Sequence, residues 1–323
     1  MDRIAFVTGE TVFYWNSILL TLAAAVASCF FLAFYLGRSG NAVAGFAVIP
    51  VSLVLSLVLG RLVHWYCRAD SYDGFVAAMT DYSSGGYALL GVFAGCLLAA
   101  VLVRLLCLSR NLPQMLDCMA IAGCAGIVVG RLASFFNSSD RGQVVSSIKS
   151  LPFVYPVTNA VSGAAEYRLA TFVIQAMVAA VLFAALSAFY LRAGKRGRDG
   201  DACLIFLMCY GASQVVLDST RYDSLFFRSN GFVSIVQVLG AVVLVLAIVV
   251  FAVRLVKSRG FAWWYVPVWL VQAAAIGGAG YMEYYVQRRG NEAVFAYSVM
   301  SACLATVVAL TLIQRLLGLR IRR

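Results

Sequence analysis

The sequence predicts an all-α polytopic membrane protein of about nine transmembrane helices, and three observations predict it. Hydrophobic residues make up 63% of the chain and charged residues 12%, with a mean hydropathy of +0.89, too apolar for a domain that shows water a polar surface. The apolar residues fall in long unbroken runs rather than in the short alternating segments of a barrel. Basic residues gather in alternate connections, as the positive-inside rule requires. In hydrocarbon each backbone amide needs a partner inside its own segment, so runs of this kind are helices.

The runs cover residues 11 to 36, 42 to 63, 86 to 109, 114 to 136, 168 to 191, 201 to 218, 231 to 253, 261 to 282 and 293 to 314, most of them near the ~20 residues a bilayer core needs. The first holds Val26-Ala27-Ser28-Cys29, which looks like a lipoprotein cleavage box. It reads as a span instead, because Arg3 is the only preceding basic residue, Glu10 borders the run, and Phe30 to Leu36 carry it past the cysteine. The sixth run is the shortest, and charge tests the odd helix count it supports. With the N-terminus outside, fourteen basic residues lie on the cytoplasmic side (Arg38, Arg104, Arg110, Arg192, Lys195, Arg196, Arg198, Arg254, Lys257, Arg259, Arg315, Arg320, Arg322, Arg323) with three acids (Asp117, Asp199, Asp201), a net of +11. The remaining eleven basic and eleven acidic residues balance outside. The whole net charge is thereby explained by short cytoplasmic loops, and no nucleic-acid partner is implied.

Two outer segments, 64 to 85 and 137 to 167, are long enough to hold structure, while the longest cytoplasmic connection is Arg192 to Asp201. Function is expected to face outward. Asp140-Arg141-Gly142 with Pro152 and Pro156 makes the second outer segment a small folded extracytoplasmic cap. Trp263, Trp264, Tyr265 and Trp269 form an aromatic belt at the inner interface, and the last two runs, with few polar residues, read as an appended structural hairpin. Eight of the nine cysteines fall in the runs and only Cys67 lies in an outer loop, so neither a disulfide framework nor a metal site nor a bound cofactor is expected.

Two polar features stand out inside the apolar runs. The fourth run ends Gly130-Arg131-Leu132-Ala133-Ser134-Phe135-Phe136-Asn137, which buries Arg131 roughly 9 Å below Asn137. Such a charge needs an anion, a partner or a water-filled cavity, or else it snorkels to the outer head groups. Gly123, Gly126 and Gly130 give this helix a smooth face for close packing. In the sixth run Tyr210, Gln214, Asp218 and Arg221 follow at offsets of four, four and three, one polar stripe. It fits a substrate site and an outer-end salt bridge equally well.

Gly130-Arg131 with Phe135, Asn137 and Gly142 resembles the signature of bacterial prolipoprotein diacylglyceryl transferases, Gly-Arg-x-Gly-Asn-Phe-x-Asn-x-Glu-x-x-Gly. Asp117 precedes the signature arginine by fourteen residues, as an aspartate does in that family. Gly85-Gly86 and Gly91 resemble its Gly-Gly-x-x-x-His-Gly-Gly run, and Tyr210-Gly211, Asp218 and Arg221 its later Tyr-Gly-x-x-Arg-x-x-x-Glu-x-x-Arg run. The departures are specific: Leu90 stands at the family's loop histidine, Ser134 at the second asparagine position, Ser139 at the signature glutamate and Gln214 at the later arginine. Tyr14-Trp15-Asn16 stands for the first-helix His-Trp-Tyr, and the family's His-Pro-Ser-Gln-like opening of the fifth helix has no counterpart near Tyr167. His64, the only histidine, sits in the outer cluster His64-Trp65-Tyr66 and reads as an interfacial side chain ahead of a substitute base.

The resemblance covers residues 10 to 258 and implies a seven-helix core (1–258) with an additional two-helix segment (259–323), in a bacterial inner membrane. It implies transfer of the diacylglyceryl group of phosphatidylglycerol to the lipobox cysteine of a prolipoprotein, with phosphatidylglycerol, prolipoprotein signal peptides and membrane lipid as partners. On it, Arg131, Tyr210 and Asp117 are the expected catalytic residues, and Asn137, Gly142, Ser134, Ser139, Gln214, Asp218, Arg221, Gly86 and Gly91 the expected substrate-binding ones. Arg131 with Asn137 would hold the phosphate, Tyr210 would orient the glycerol and Gly142 would shape the cap. The losses at Leu90, Ser139 and Gln214 leave a second reading, a non-catalytic relative that binds phosphatidylglycerol or lipoproteins. A third, a transporter using the buried charges, lacks inverted repeats and broken helices in its support.

Overall fold

The structure, a computed structural model, describes residues 4–9, 11–80, 86–106, 108–109, 111–136, 141–145, 153–158, 163–193, 198–228, 230–289 and 293–319. Each apolar run carries a helix: α1 Trp15–Gly37, α2 Ala42–Cys67, α4 Leu89–Leu105, α5 Leu112–Leu132, α6 Thr171–Ala193, α7 Asp201–Ser219, α8 Ile235–Arg259, α9 Tyr265–Arg289 and α10 Ala293–Leu319, with a short helix, α3 Phe75–Thr80, between α2 and α4. The chain is an all-α polytopic membrane protein. Among the described residues seven helices are long and apolar enough to cross a membrane. The other two are α4, with 17 residues, and α9, whose apolar character is diluted by Gln272, Glu283, Gln287 and Arg288.

The first run begins differently from expectation. Residues 11 to 14 are not helical: strands β1 Ile4–Thr8 and β2 Thr11–Tyr14 form an antiparallel hairpin, and the helix starts at Trp15. Thr11, Val12, Phe13 and Tyr14 are β-branched or aromatic, the types that favour a pleated strand. Gly9 turns the chain at φ +61°, and the Phe6 and Phe13 rings stack at 4.6 Å across the pair. The third run also starts late, at Leu89, because Ala88 is extended and its N–H is spent on the Gly60 carbonyl at 3.0 Å.

The chain forms two compact units, residues 1–206 with 220–231, and residues 207–219 with 232–323. In the first, α1, α2, α4 and α5 close a ring in which α2 packs on α4, α4 on α5, α5 on α1 and α1 on α2, and α6 packs on α5. Glycines set how closely these helices approach. A Cβ on Gly95 would lie 2.5 Å from the Ser56 amide nitrogen, and one on Gly91 would meet the Leu59 and Gly60 backbone, so α2 and α4 touch along their main chains. Gly126 lies against Ala23 and Ala27 of α1, and Gly130 against Leu20 and Ala23, whereas a Cβ on Gly123 would meet no other segment within 4 Å among the described residues.

In the second unit α7 and α8 cross at Gly211 and Gly240, where each would-be Cβ lies within 2.9 Å of the other glycine's carbonyl oxygen. Ser234 caps α8 in a reciprocal box with Gln237. Helices α9 and α10 share a buried polar ladder: Gln272 donates to Thr311 at 2.9 Å, and Gln314 donates to Gln272 at 3.1 Å. The hairpin is thus less apolar inside than its composition suggests.

Candidate active site

Arg131 lies in the last turn of α5 and is half-buried. A cation there meets the negative end of the helix dipole, and the helix tightens into a 3₁₀ turn, Ala133–Phe136, immediately after it. Aromatic rings pin that turn: Phe136 stacks on Trp15 at 5.7 Å, and Phe135 meets Phe172 edge-on at 4.7 Å. Ser134, in the same turn, is buried at 7% exposure. The expected partners Asn137 and Ser139 lie outside the described residues.

Gly142 is the centre of a small layer of extended backbone. Strands β3 Val154–Thr158 and β4 Ala165–Leu169 pair antiparallel, Val144 bridges to Arg168, and Gly142 bridges to Arg221. The Gly142 N–H donates to the Leu169 carbonyl at 3.1 Å, Gln143 N–H to Thr220 O at 2.9 Å, and Tyr222 N–H to Arg141 O at 2.9 Å. A Cβ at Gly142 would stand 2.8 Å from both Leu169 Cβ and Thr171 Oγ1, so only glycine lets three segments meet there.

This ladder explains a correction to the polar stripe. Helix α7 ends at Ser219, and Arg221 is not on it: the backbone of Thr220 and Tyr222 is taken by residues 141 to 143 before another turn can form. Arg221 instead sits beside Gly142, its guanidinium 3.2 Å from Asp223. Tyr210, Gln214 and Asp218 do share a face of α7, at 5%, 4% and 1% exposure, and belong to the second unit. There Asp218 accepts a hydrogen bond from the Ser234 hydroxyl, and Gln214 reaches Ser213 Oγ at 3.4 Å.

Asp117 is a second correction of place. It lies fourteen residues before Arg131 on the same helix, about 21 Å away at 1.5 Å per residue, and the structure does not bring the two together. Its carboxylate, 2% exposed, accepts the Gly200 N–H at 2.7 Å and the Cys203 N–H at 2.8 Å, satisfying orphan donors at the start of α7. Around it Asn111 donates to Asp199 at 2.6 Å and the Arg38 guanidinium lies over the Tyr190 ring at 4.1 Å. Gly91 likewise serves the α2–α4 contact.

Gly86 leads to residues that sequence reading passed over. Arg61 of α2 is 2% exposed; it donates to the Ala78 carbonyl and to the Gly86 carbonyl at 3.1 Å, with its guanidinium 5.0 Å from the centre of the Tyr72 ring. Arg168 of β4 gives hydrogen bonds to Gly142 O at 3.3 Å and Glu166 at 3.0 Å and lies over Tyr222, while its buried Nε has no partner among the described residues. The signal for Arg61 was of the same kind as for Arg131, a cation near the C-terminal end of an apolar helix. Arg168 carried no such mark, since its neighbours come from distant segments.

Residues 3–253 match the family model described as prolipoprotein diacylglyceryl transferase. The chain belongs to that family. The phosphatidylglycerol–prolipoprotein diacylglyceryl transferase of Streptococcus pyogenes serotype M3 is 24% identical over 232 residues, 71% of this chain and 84% of that protein. Those of serotypes M5 and M49 are 23% identical over the same shares. For a diacylglyceryl transferase the positions that differ now have locations: Leu90 is half-buried in the first turn of α4, one residue before the Gly91 contact, and Gln214 is buried in α7. The family match ends within α8, so α9 and α10 lie beyond it.

Proposed function

We propose that this protein transfers the diacylglyceryl group of phosphatidylglycerol to the lipobox cysteine of prolipoproteins at the outer face of a bacterial plasma membrane. The observation that carries the reading is a half-buried arginine in the last turn of α5, followed eleven residues on by the Gly142 ladder, within a chain whose family match covers both. In the reaction a cysteine sulfur attacks a glycerol carbon, the S–C bond forms, and the C–O bond to phosphate breaks with its electron pair leaving as glycerol phosphate. Arg131, with Asn137, Ser134 and Ser139 following it, holds the phosphate as negative charge builds on the leaving oxygen. Tyr210, with Gln214 and Asp218 on its face of α7, is the residue that the family resemblance offers for orienting the glycerol. Arg221, Gly142 and Arg168 form the cap over the site. Gly86 shapes the approach, while Asp117 and Gly91 act through the scaffold.

In this reading nine helices span the bilayer with the N-terminus outside and the C-terminus in the cytoplasm, as the charge distribution favours. Residues 1–258 form the transferase core and residues 259–323 an additional hairpin. Expression in a transferase-depleted strain tests the proposal: growth is restored by the wild-type chain and not by R131A. Failure of the wild-type chain at normal membrane levels contradicts it. The substitutions at Leu90, Ser139 and Gln214 favour a second reading, binding without transfer. Phosphatidylglycerol binding that R131A abolishes, with no thioether formed, would replace the first reading with the second.

A further inference from the structure

Helices α9 and α10 lie beyond the family match, so the transfer reaction does not account for their polar residues. The seam of α9 is buried at Tyr265, Gln272, Ala279 and Glu283, at offsets of seven, seven and four, and Gln272 reaches Thr311 of α10 from it. The last two turns carry a second stripe on the opposite side: Tyr281, Tyr284, Tyr285 and Arg288, at offsets of three, one and three. Tyr281 and Tyr284 are 60% and 47% exposed, and Arg288 is exposed as well. The four side chains line a cavity of about 350 Å³, near the lower end of the ~300–1,000 Å³ usual for small-ligand sites.

Further down α9 the same face is apolar, with Leu270, Ala274 and Gly277 all exposed. The change to tyrosine and arginine falls where the helix outruns hydrocarbon, since α9 has 25 residues and about 20 cross a bilayer core. On the proposed topology this end of α9 reaches the outer headgroup layer. Tyrosine suits that depth, with its ring in the apolar zone and its hydroxyl among polar heads. Arg288 presents a planar fork of donors that fits phosphate. Its guanidinium lies 5.7 Å from the centre of the Tyr284 ring, which orients the cation without neutralising it. Among the described residues Arg288 makes no ion pair. Glu283, the one acid of α9, is buried in the opposite seam and accepts a hydrogen bond from Gln287 at 2.8 Å.

We propose that this cleft binds the phosphate headgroup of an anionic phospholipid in the outer leaflet, which makes the hairpin beyond the family core a lipid-docking element. A lipid is the occupant rather than a soluble phosphate, because the stripe continues the apolar face of Leu270, Ala274 and Gly277, along which acyl chains run up to the same cleft.

Full-length protein in nanodiscs of phosphatidylcholine supplies the test, with a trace of phosphatidylglycerol that carries a photoreactive diazirine near its acyl carbonyl. Crosslinked peptides are mapped by mass. Label on residues 277–289 is expected, competed by unlabelled phosphatidylglycerol and lowered about tenfold or more in R288Q, which loses a charged donor. R288K falls between, keeping the charge without the fork. Position 288 is exposed, so R288Q keeps the wild-type Tm. R131A leaves the label on α9 within about threefold of wild type, so a chain that fails to transfer diacylglyceryl groups leaves this proposal standing. Equal labelling of these residues by a phosphatidylcholine probe overturns it, as does undiminished labelling of R288Q, and the tyrosines are then an interfacial belt. Competition by inorganic phosphate as strong as that by phosphatidylglycerol assigns the cleft to a soluble anion and overturns it equally.

Discussion

Removing the Asp117 carboxylate separates a structural role from a catalytic one. In D117A the N–H groups of Gly200 and Cys203 lose acceptors at 2.7 and 2.8 Å in a site where the side chain is 2% exposed. One of the two is counted as a helix cap, worth about 1 kcal/mol, and the other, a buried donor left unmet, costs about 1–3 kcal/mol. The expected cost is therefore about 2–4 kcal/mol. At about 2 °C per kcal/mol for a large domain, this lowers the Tm by about 4–8 °C. D117N keeps one carbonyl acceptor but turns an amide donor toward a donor, and falls between D117A and wild type. Because Arg131 is about 21 Å away along the helix, turnover per folded molecule stays within about threefold of wild type in both variants. Thermal unfolding of the purified variants, followed by fluorescence and paired with product formation below the Tm, makes the measurement. A D117A protein with wild-type Tm and at least 100-fold lower kcat would refute the capping argument and restore Asp117 to the catalytic machinery.

Other outcomes follow from the same geometry. R131A loses about 100-fold or more in kcat, the usual effect of removing one donor to a developing oxyanion, with R131K intermediate; this is read by product mass under saturating lipid. G142A places a methyl group 2.8 Å from Leu169 Cβ and Thr171 Oγ1, which costs about 1–3 kcal/mol by overpacking and is read as a lower Tm and faster proteolysis of residues 141–169. On the proposed orientation, with the C-terminus in the cytoplasm, a fluorescent protein fused after Arg323 is bright and an alkaline phosphatase fused there is inactive; the opposite pair of signals would invert the proposed topology.

Much of the scaffold was legible because lipid imposes one strong rule on sequence. Every apolar run became a helix, and the Gly126 and Gly130 face met α1 as close packing requires. Where the reading failed, the deciding interaction was local chemistry or a distant partner. Hydropathy does not distinguish the hairpin at Thr11–Tyr14 from the start of a span, since β-branched and aromatic residues are apolar in both. Arg221 keeps the spacing of the α7 stripe, yet the backbone beyond Ser219 pairs with residues 141 to 143, about eighty positions earlier in the chain. Asp117 caps donors that lie 83 and 86 residues away, a relation that no local pattern encodes. The candidate site was legible as residue types, with Arg131 and Gly142 at signature spacing. The contacts among Arg61, His64, Tyr72 and Gly86 were not, because they join α2, the turn after it and the approach to α4.

The central claim, that this divergent chain still performs diacylglyceryl transfer, is tested most directly by incubating the purified wild-type protein with phosphatidylglycerol and a synthetic lipobox peptide and weighing the peptide. A peptide heavier by one diacylglyceryl group on its cysteine, with glycerol phosphate released in equal amount, is the expected result. An unmodified peptide in the presence of folded, lipid-binding protein would contradict it.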